Sequence, residues 1–216
     1  MVRNPEQYHS QAETQLSQTF KELKVNSQDE AAIGDFLGPL KEKDKNTYEH
    51  CLRVALLAKE IGGFMELDEK ALFFAGLLHD LGKLNVPMET LGKTDSWTKE
   101  DSKAVEKHVI DGYLLIKGRF DFTAEIILWH HKFQENKYPE FLPPYLHDYS
   151  VGTQAVIPEY GRILALADVY DALHRENSKF GERKTLSEVE IKDKMLEFNP
   201  DKLDLVNDLY TAKIFG

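Results

Sequence analysis

A histidine and an aspartate stand side by side, His79-Asp80, in the run Ala71-Leu72-Phe73-Phe74-Ala75-Gly76-Leu77-Leu78-His79-Asp80-Leu81-Gly82-Lys83. Apolar residues cover almost every helical face of that run, which predicts a buried helix. A carboxylate in such surroundings must be paired, protonated or bound to a metal ion, because a bare buried charge is costly. The same conflict recurs twice. His130-His131 ends the mostly apolar stretch 124–129, and Asp168 interrupts Ile163-Leu164-Ala165-Leu166-Ala167-Asp168-Val169-Tyr170. Three apolar helices thus each deliver ligand-type side chains into a core, and the simplest physical reason is a metal site.

The rest of the chain reads as helix with little strand alternation, so the fold class is all-α. Asn4-Pro5 has the form of an N-cap followed by proline in the first turn. Tyr8, Ala12, Leu16, Phe20 and Leu23 then form one stripe, suited to core or dimer packing. Ser27-Gln28-Asp29-Glu30 has capping-box form. A helix over about 46–61 should stop at Gly62-Gly63. The His79 helix should start near Asp68. Thr98 should cap one helix running through His108 toward Lys117, and another should end near His131. Residues 132–158 hold four of the eight prolines and no periodicity. They predict a long loop, a lid or rim beside the paired histidines. A helix capped by Ser187 and a last one over 200–214 complete the reading.

The chain carries 37 acidic and 27 basic residues, a net charge of −10. That argues against nonspecific binding to nucleic acid or to an anionic membrane surface. No apolar run is long enough to span a bilayer, and the N-terminus lacks a signal-type run. The single cysteine, Cys51, allows no internal disulfide and fits a reducing cytoplasm. It is read as a small buried hydrophobe.

Collected together, the candidate ligands are His50, His79, Asp80, His108, His130, His131 and Asp168. Imidazole with carboxylate suits iron, manganese, zinc or nickel better than calcium or magnesium. Seven ligands are too many for one ion and suit two that share a carboxylate. This constellation resembles the HD superfamily of metal-dependent phosphohydrolases, and most closely its HD-GYP branch of cyclic di-GMP phosphodiesterases. The resemblance runs from about Leu40 to Phe215. Lys43 to Val54 is similar to the first-histidine helix, and His79-Asp80-Leu81-Gly82-Lys83 to the HD-x-G-K motif. His108 with Gly112 falls at the next histidine, and His130-His131 at the paired histidines. Arg162-Ile163-Leu164-Ala165-Leu166-Ala167-Asp168-Val169-Tyr170-Asp171-Ala172-Leu173 matches the last motif.

The resemblance implies an HD-domain helical bundle over residues 41–216, preceded by an N-terminal helical extension over 1–40. It implies two divalent transition-metal ions, iron or manganese before zinc or nickel. His50, His79, Asp80 and Asp168 would hold one, and Asp80, His108, His130 and His131 the other, with Asp80 as the bridge. A hydroxide between the ions would attack the phosphorus of a nucleotide or cyclic dinucleotide phosphodiester. The centre would carry roughly +1 despite the acidic chain, which suits a small anionic nucleotide-type substrate. Lys83 would place its ammonium on a phosphate oxygen.

The departures from the branch bear on the substrate. Its loop after the paired histidines reads HHE-x-x-DG-x-GYP. Here the loop is His130-His131-Lys132-Phe133-Gln134-Glu135-Asn136-Lys137-Tyr138-Pro139, one residue shorter and without either glycine. A basic position is replaced by Asn177, for which Lys179 or Arg183 would substitute, and a third-metal glutamate is replaced by Asn46. Lys132, Lys137 and Tyr138 become candidate substrate contacts beside Lys83. The expectation is two ions rather than three, activity on a simple activated phosphodiester, and slow or absent hydrolysis of cyclic di-GMP. A nucleotide phosphomonoesterase or triphosphohydrolase, and a metal-containing signalling module of low activity, stand as alternatives. Regulatory input would come through a partner, a second copy in a homodimer or a signalling protein, or through the N-terminal helices.

Overall fold

The computed structural model describes residues 5–93, 96–135, 137–175 and 185–216, with side chains from residue 13 onward. Asn4, and the side chains of Tyr8 and Ala12, lie outside that description. Among the described residues there are eleven α-helices and no strand. They are α1 (Pro5–Glu22), α2 (Ser27–Lys43), α3 (Lys45–Phe64), α4 (Glu69–Leu78), α5 (Met88–Leu91), α6 (Lys99–Glu106), α7 (His108–Ile116), α8 (Asp121–Ile127), α9 (Val151–Leu173), α10 (Glu188–Phe198) and α11 (Leu203–Thr211), with a 3-10 turn at Leu81–Asn85.

Side-chain caps set most helix starts. Asp44 accepts from the backbone N–H groups of Asn46 and Thr47 to open α3, and Asp68 does the same for α4. Thr98 with Asp101 and Ser187 with Glu190 form reciprocal capping boxes at α6 and α10. α2 is capped by Asn26 instead of the expected Ser27 box, its side chain accepting from Asp29 N.

The core is organised around α3, which lies against both α4 and α9. Every residue of α4 from Ala71 to Leu78 is buried, as the sequence required. Gly76 makes the α3–α4 approach, since a Cβ there would lie 2.3 Å from Ala55 Cα. Gly82 lets the 3-10 turn close on α7, where a Cβ would lie 1.8 Å from the His108 carbonyl oxygen. These two contacts bring His50, His79 and His108 within reach of each other. The α1 stripe packs inward: Phe20 is buried edge-on to Phe73 at 5.6 Å, with Leu16 and Leu23 beside it. α2 adds Ile33, Leu37 and Leu40 to the same core. The Lys43 ammonium at its end donates to the carbonyls of Lys83, Leu84 and Val86 at 3.3, 2.6 and 2.6 Å, holding the 3-10 turn.

Five boundaries differ from the sequence expectation. α3 runs through Gly62 and Gly63 to Phe64, because those glycines sit in the packed interface with Leu72 and Glu69. The helix expected through His108 is two, broken at Lys107. α8 ends at Ile127, before the paired histidines, which occupy turns. The loop expected to reach residue 158 ends at Ser150, and Pro158 lies inside α9. Proline there leaves the Gln154 carbonyl without its helical donor. The Tyr145 hydroxyl donates to that oxygen at 3.4 Å. The last helix is also shorter than expected, Leu203–Thr211.

Candidate metal centre

All seven expected ligands come together. His50 projects from α3 and Asp168 from α9, while His79 and Asp80 follow the last residue of α4. His108 opens α7, and His130 and His131 follow α8. They form two sets. The ligand atoms of His50, His79 and Asp168 lie within 4.8 Å of one another, as do those of His108, His130 and His131. Asp80 stands between the sets. Its Oδ1 is 3.3 Å from His108 Nε2, and its Oδ2 is 3.6 Å from both His50 Nε2 and His79 Nε2.

Three imidazoles are oriented by the same device. His79 Nδ1 donates to the Gly76 carbonyl at 2.9 Å, His108 Nδ1 to Val105 at 2.5 Å, and His130 Nδ1 to Ile127 at 2.5 Å. Each carbonyl is three residues back, in the last turn of α4, α6 or α8, where helix carbonyls lack their own donors. A carbonyl can only accept, so each Nδ1 carries the proton and each neutral ring offers a lone pair at Nε2.

Burial favours those neutral rings. It pushes the pKa of His108 down to about 4 and of His130 down to about 3, and lowers His79 and His131 as well. His108 Nε2 and His130 Nε2 therefore face each other as two acceptors at 3.3 Å. His79 Nε2 and His131 Nδ1 are buried without a hydrogen-bond partner. Converging lone pairs and unpartnered buried nitrogens are costly together and become ligation around a cation. The donor set therefore fits divalent metal ions.

The first set is held differently. His50 Nε2 lies 3.0 Å from Asp168 Oδ1, and its Nδ1 donates to Asp171 Oδ2 at 2.7 Å. Arg53 donates to both oxygens of Asp171, at 2.5 and 3.0 Å. Burial disfavours the charged form of His50, yet the carboxylates of Asp168 and Asp171 outweigh it and its pKa rises. Asp80 is buried and Asp168 partly so; burial opposes their charge, but Lys83 and three imidazoles around Asp80, and the imidazoles of His50, His79 and His131 around Asp168, hold both well below the usual carboxylate range. Asp171 was missed by the sequence reading. The signal was present: Asp168 and Asp171, like His50 and Arg53, are one helical turn apart and share a face.

The expected substrate contacts fare unevenly. The Lys83 ammonium reaches the centre, bonded to Asp80 Oδ2 at 2.5 Å. Tyr138 stacks on His131 with ring centroids 4.4 Å apart and planes at 27°, roofing that set. The Lys132 ammonium donates to the carbonyls of Pro139 and Glu140, so it staples its own loop. Lys137 is exposed, at φ 40°. Lys179 and Arg183, and Asn177 between the last motif and Lys179, lie outside the described residues.

Among the described residues no helix is long and apolar enough to cross a membrane. The chain is 31% identical over 139 residues to a 3'3'-cGAMP-specific phosphodiesterase of Vibrio cholerae, covering 61% of this chain and 30% of that protein. It is 35% identical over 130 residues to the cyclic di-GMP phosphodiesterase response regulator RpfG of Xanthomonas campestris, covering 58% and 32%. It thus spans about a third of the length of these curated relatives. Its fold is similar to the HD domain of the L. monocytogenes phosphodiesterase PgpH, solved with cyclic-di-AMP. The TM-score is 0.55 at 16% identity, covering 78% of this chain and 82% of that one. Residues 47–173, more than half of the chain, match the model of the HD domain. With its paired histidines and its His79-Asp80 doublet at one buried centre, the chain belongs to the HD domain family.

Proposed function

We propose that this chain is a metal-dependent phosphodiesterase that hydrolyses a nucleotide or cyclic dinucleotide phosphodiester. The observation that carries the reading is the Asp80 carboxylate. One oxygen faces the three-histidine set and the other faces His50 and His79, the disposition a bridging ligand requires. His50, His79, Asp80 and Asp168 would hold one ion, and Asp80, His108, His130 and His131 the other, with iron or manganese suiting the mixed donors. Bound there, two divalent ions supply Lewis acidity and a water of lowered pKa.

The chain's own residues supply the rest. Helix-end carbonyls fix three of the imidazole tautomers, and Asp171 with Arg53 orients His50. Lys83, whose ammonium reaches the centre at Asp80, would meet a phosphoryl oxygen as negative charge builds in the transition state. Tyr138 limits access of water above His131. The relatives named for cyclic di-GMP and 3'3'-cGAMP support a cyclic dinucleotide as substrate.

The test uses purified protein loaded with manganese or iron, assayed on bis(p-nitrophenyl) phosphate, cyclic di-GMP and a nucleotide monoester, with elemental analysis alongside. Two ions per chain and diester turnover are expected. Turnover of the monoester alone moves the reading to a phosphomonoesterase. One ion or fewer after loading, with no hydrolysis, overturns it.

A further inference from the structure

Lys43, the last residue of α2, gives its side chain to backbone alone among the described residues. Its ammonium carries three N–H donors, and three carbonyls of the 3-10 turn and its exit take them: Lys83 at 3.3 Å, Leu84 at 2.6 Å and Val86 at 2.6 Å. The carbonyls converge because they belong to the end of a helical turn, where carbonyls lack backbone donors and form the negative pole of the helix dipole. The Lys83 carbonyl also accepts from Val86 N–H at 3.1 Å, which keeps the turn tight.

The same turn carries Lys83 into the metal centre. Lys83 N–H donates to the Asp80 carbonyl at 2.9 Å, and its ammonium donates to Asp80 Oδ2 at 2.5 Å. One face of the turn is pressed on α7 at Gly82, where any Cβ would overlap the His108 carbonyl. Lys43 holds the turn from the side of α2. Two bonds therefore connect α2 to the carboxylate between the two ligand sets: Lys43 to the Lys83 carbonyl, and Lys83 to Asp80. The next residue, Asp44, opens α3 with its carboxylate, and α3 brings His50. The α2–α3 junction thus acts on both sides of the centre without supplying a ligand.

We propose that Lys43 is a positioning residue for Lys83: its ammonium fixes the carbonyls of the turn so that the Lys83 ammonium stays at Asp80. The inference rests on the phosphodiesterase reading for what Lys83 does, and on the turn for where Lys83 is held. Without the Lys43 ammonium, the Leu84 and Val86 carbonyls lose a charge-assisted donor in partly buried surroundings. The turn then rotates toward water, and the long Lys83 side chain magnifies that rotation at its tip. Asp80 precedes the turn and is flanked by His50, His79 and His108, so the ligand set stays in place.

The experiment is a double-mutant cycle in manganese-loaded protein on bis(p-nitrophenyl) phosphate. Lys43→Met and the milder Lys43→Gln, which keeps two N–H donors, are each made in wild type and in Lys83→Ala. In wild type Lys43→Met should lower kcat/KM about 10-fold, mostly through kcat, and Lys43→Gln about threefold, with two ions retained in each. In Lys83→Ala neither should cost more than about twofold, since the group they position is gone. Equal loss in both backgrounds, or loss of metal, overturns the proposal, because Lys43 would then support the fold or the centre at large. Unchanged kcat/KM in the wild-type background overturns it too. Where Lys43→Met fails to fold, Lys43→Gln decides the cycle.

A second readout needs no turnover. Acetylation by acetic anhydride, read by mass spectrometry, should be about 10-fold faster at Lys83 in Lys43→Met as the turn opens locally, with Lys59 and Lys70 reacting as in wild type. In Lys43→Gln the same selective rise should be smaller. No rise at Lys83, or an equal rise at all three lysines, overturns the placement. If wild type turns over no diester, the phosphodiesterase reading fails separately and the acetylation rates alone decide whether Lys43 holds Lys83.

Discussion

The two halves of the centre are built from opposite materials. His108, His130 and His131 bring neutral imidazoles, two of them steered by backbone carbonyls. His50, His79 and Asp168 bring a carboxylate directly, with a second, Asp171, clamping His50 from behind under Arg53. One half relies on burial to keep its nitrogens unprotonated; the other keeps His79 neutral in the same way but adds carboxylates that draw charge onto His50. The difference teaches that the halves should not hold a cation equally, and that Asp80 is the one residue both depend on.

The hardest blow to this contrast is removal of the shared residue. Asp80→Ala should empty both halves and lower kcat by roughly 10³-fold or more, several kcal/mol of lost transition-state stabilisation. Elemental analysis showing both ions retained, with normal turnover, would break the bridge. Lys83→Ala should keep both ions and lower kcat/KM roughly 100-fold, as for loss of one transition-state donor. Metal loss with unchanged turnover per loaded site would make Lys83 a structural partner of Asp80 instead. Asp171→Asn keeps an acceptor for His50 but loses the charge facing Arg53. It should weaken metal affinity in the carboxylate half about 10- to 100-fold and leave the imidazole half nearly unchanged. Equal weakening of both ions in a metal titration would erase the distinction. The single-ligand pair follows: His108→Ala should cost about one ion from the imidazole half, and Asp168→Ala about one from the other. The finest test is graded chelation. The imidazole half, with fewer carboxylates, should empty first, and the melting temperature should fall in two steps as bound ligand stops stabilising the fold. A single step would mean the halves are equivalent.

Much of this was legible before any coordinates. Apolar helices interrupted by His79-Asp80, His130-His131 and Asp168 announced a buried polar centre, because burying such groups without purpose is costly. What the sequence concealed has a common physical origin. The breaks after Leu78, at Lys107 and after Ile127 carry no glycine or proline; they are made where an imidazole N–H takes a helix-end carbonyl. Pro158 misled in the opposite sense, since a distant hydroxyl, Tyr145, serves the carbonyl it frees. Asp171 escaped notice because its partners, His50 and Arg53, lie more than a hundred residues away in the chain. The fate of Lys132 was equally invisible, because a loop's own carbonyls are not written in side-chain pattern.

The helix-end anchoring of three histidines also determines where this chain tolerates changes of length. Each ring takes its aim from a carbonyl three residues earlier, so the last turn of α4, α6 and α8 acts as a ruler. One residue inserted there turns the carbonyl by about 100° around the helix axis and carries the ring with it. One residue inserted in the stretch between Pro139 and Ser150 moves none of those carbonyls. Across descendants of this sequence, gaps should therefore accumulate in the connecting segments and be purged from three short helical stubs, although neither kind of position touches a substrate.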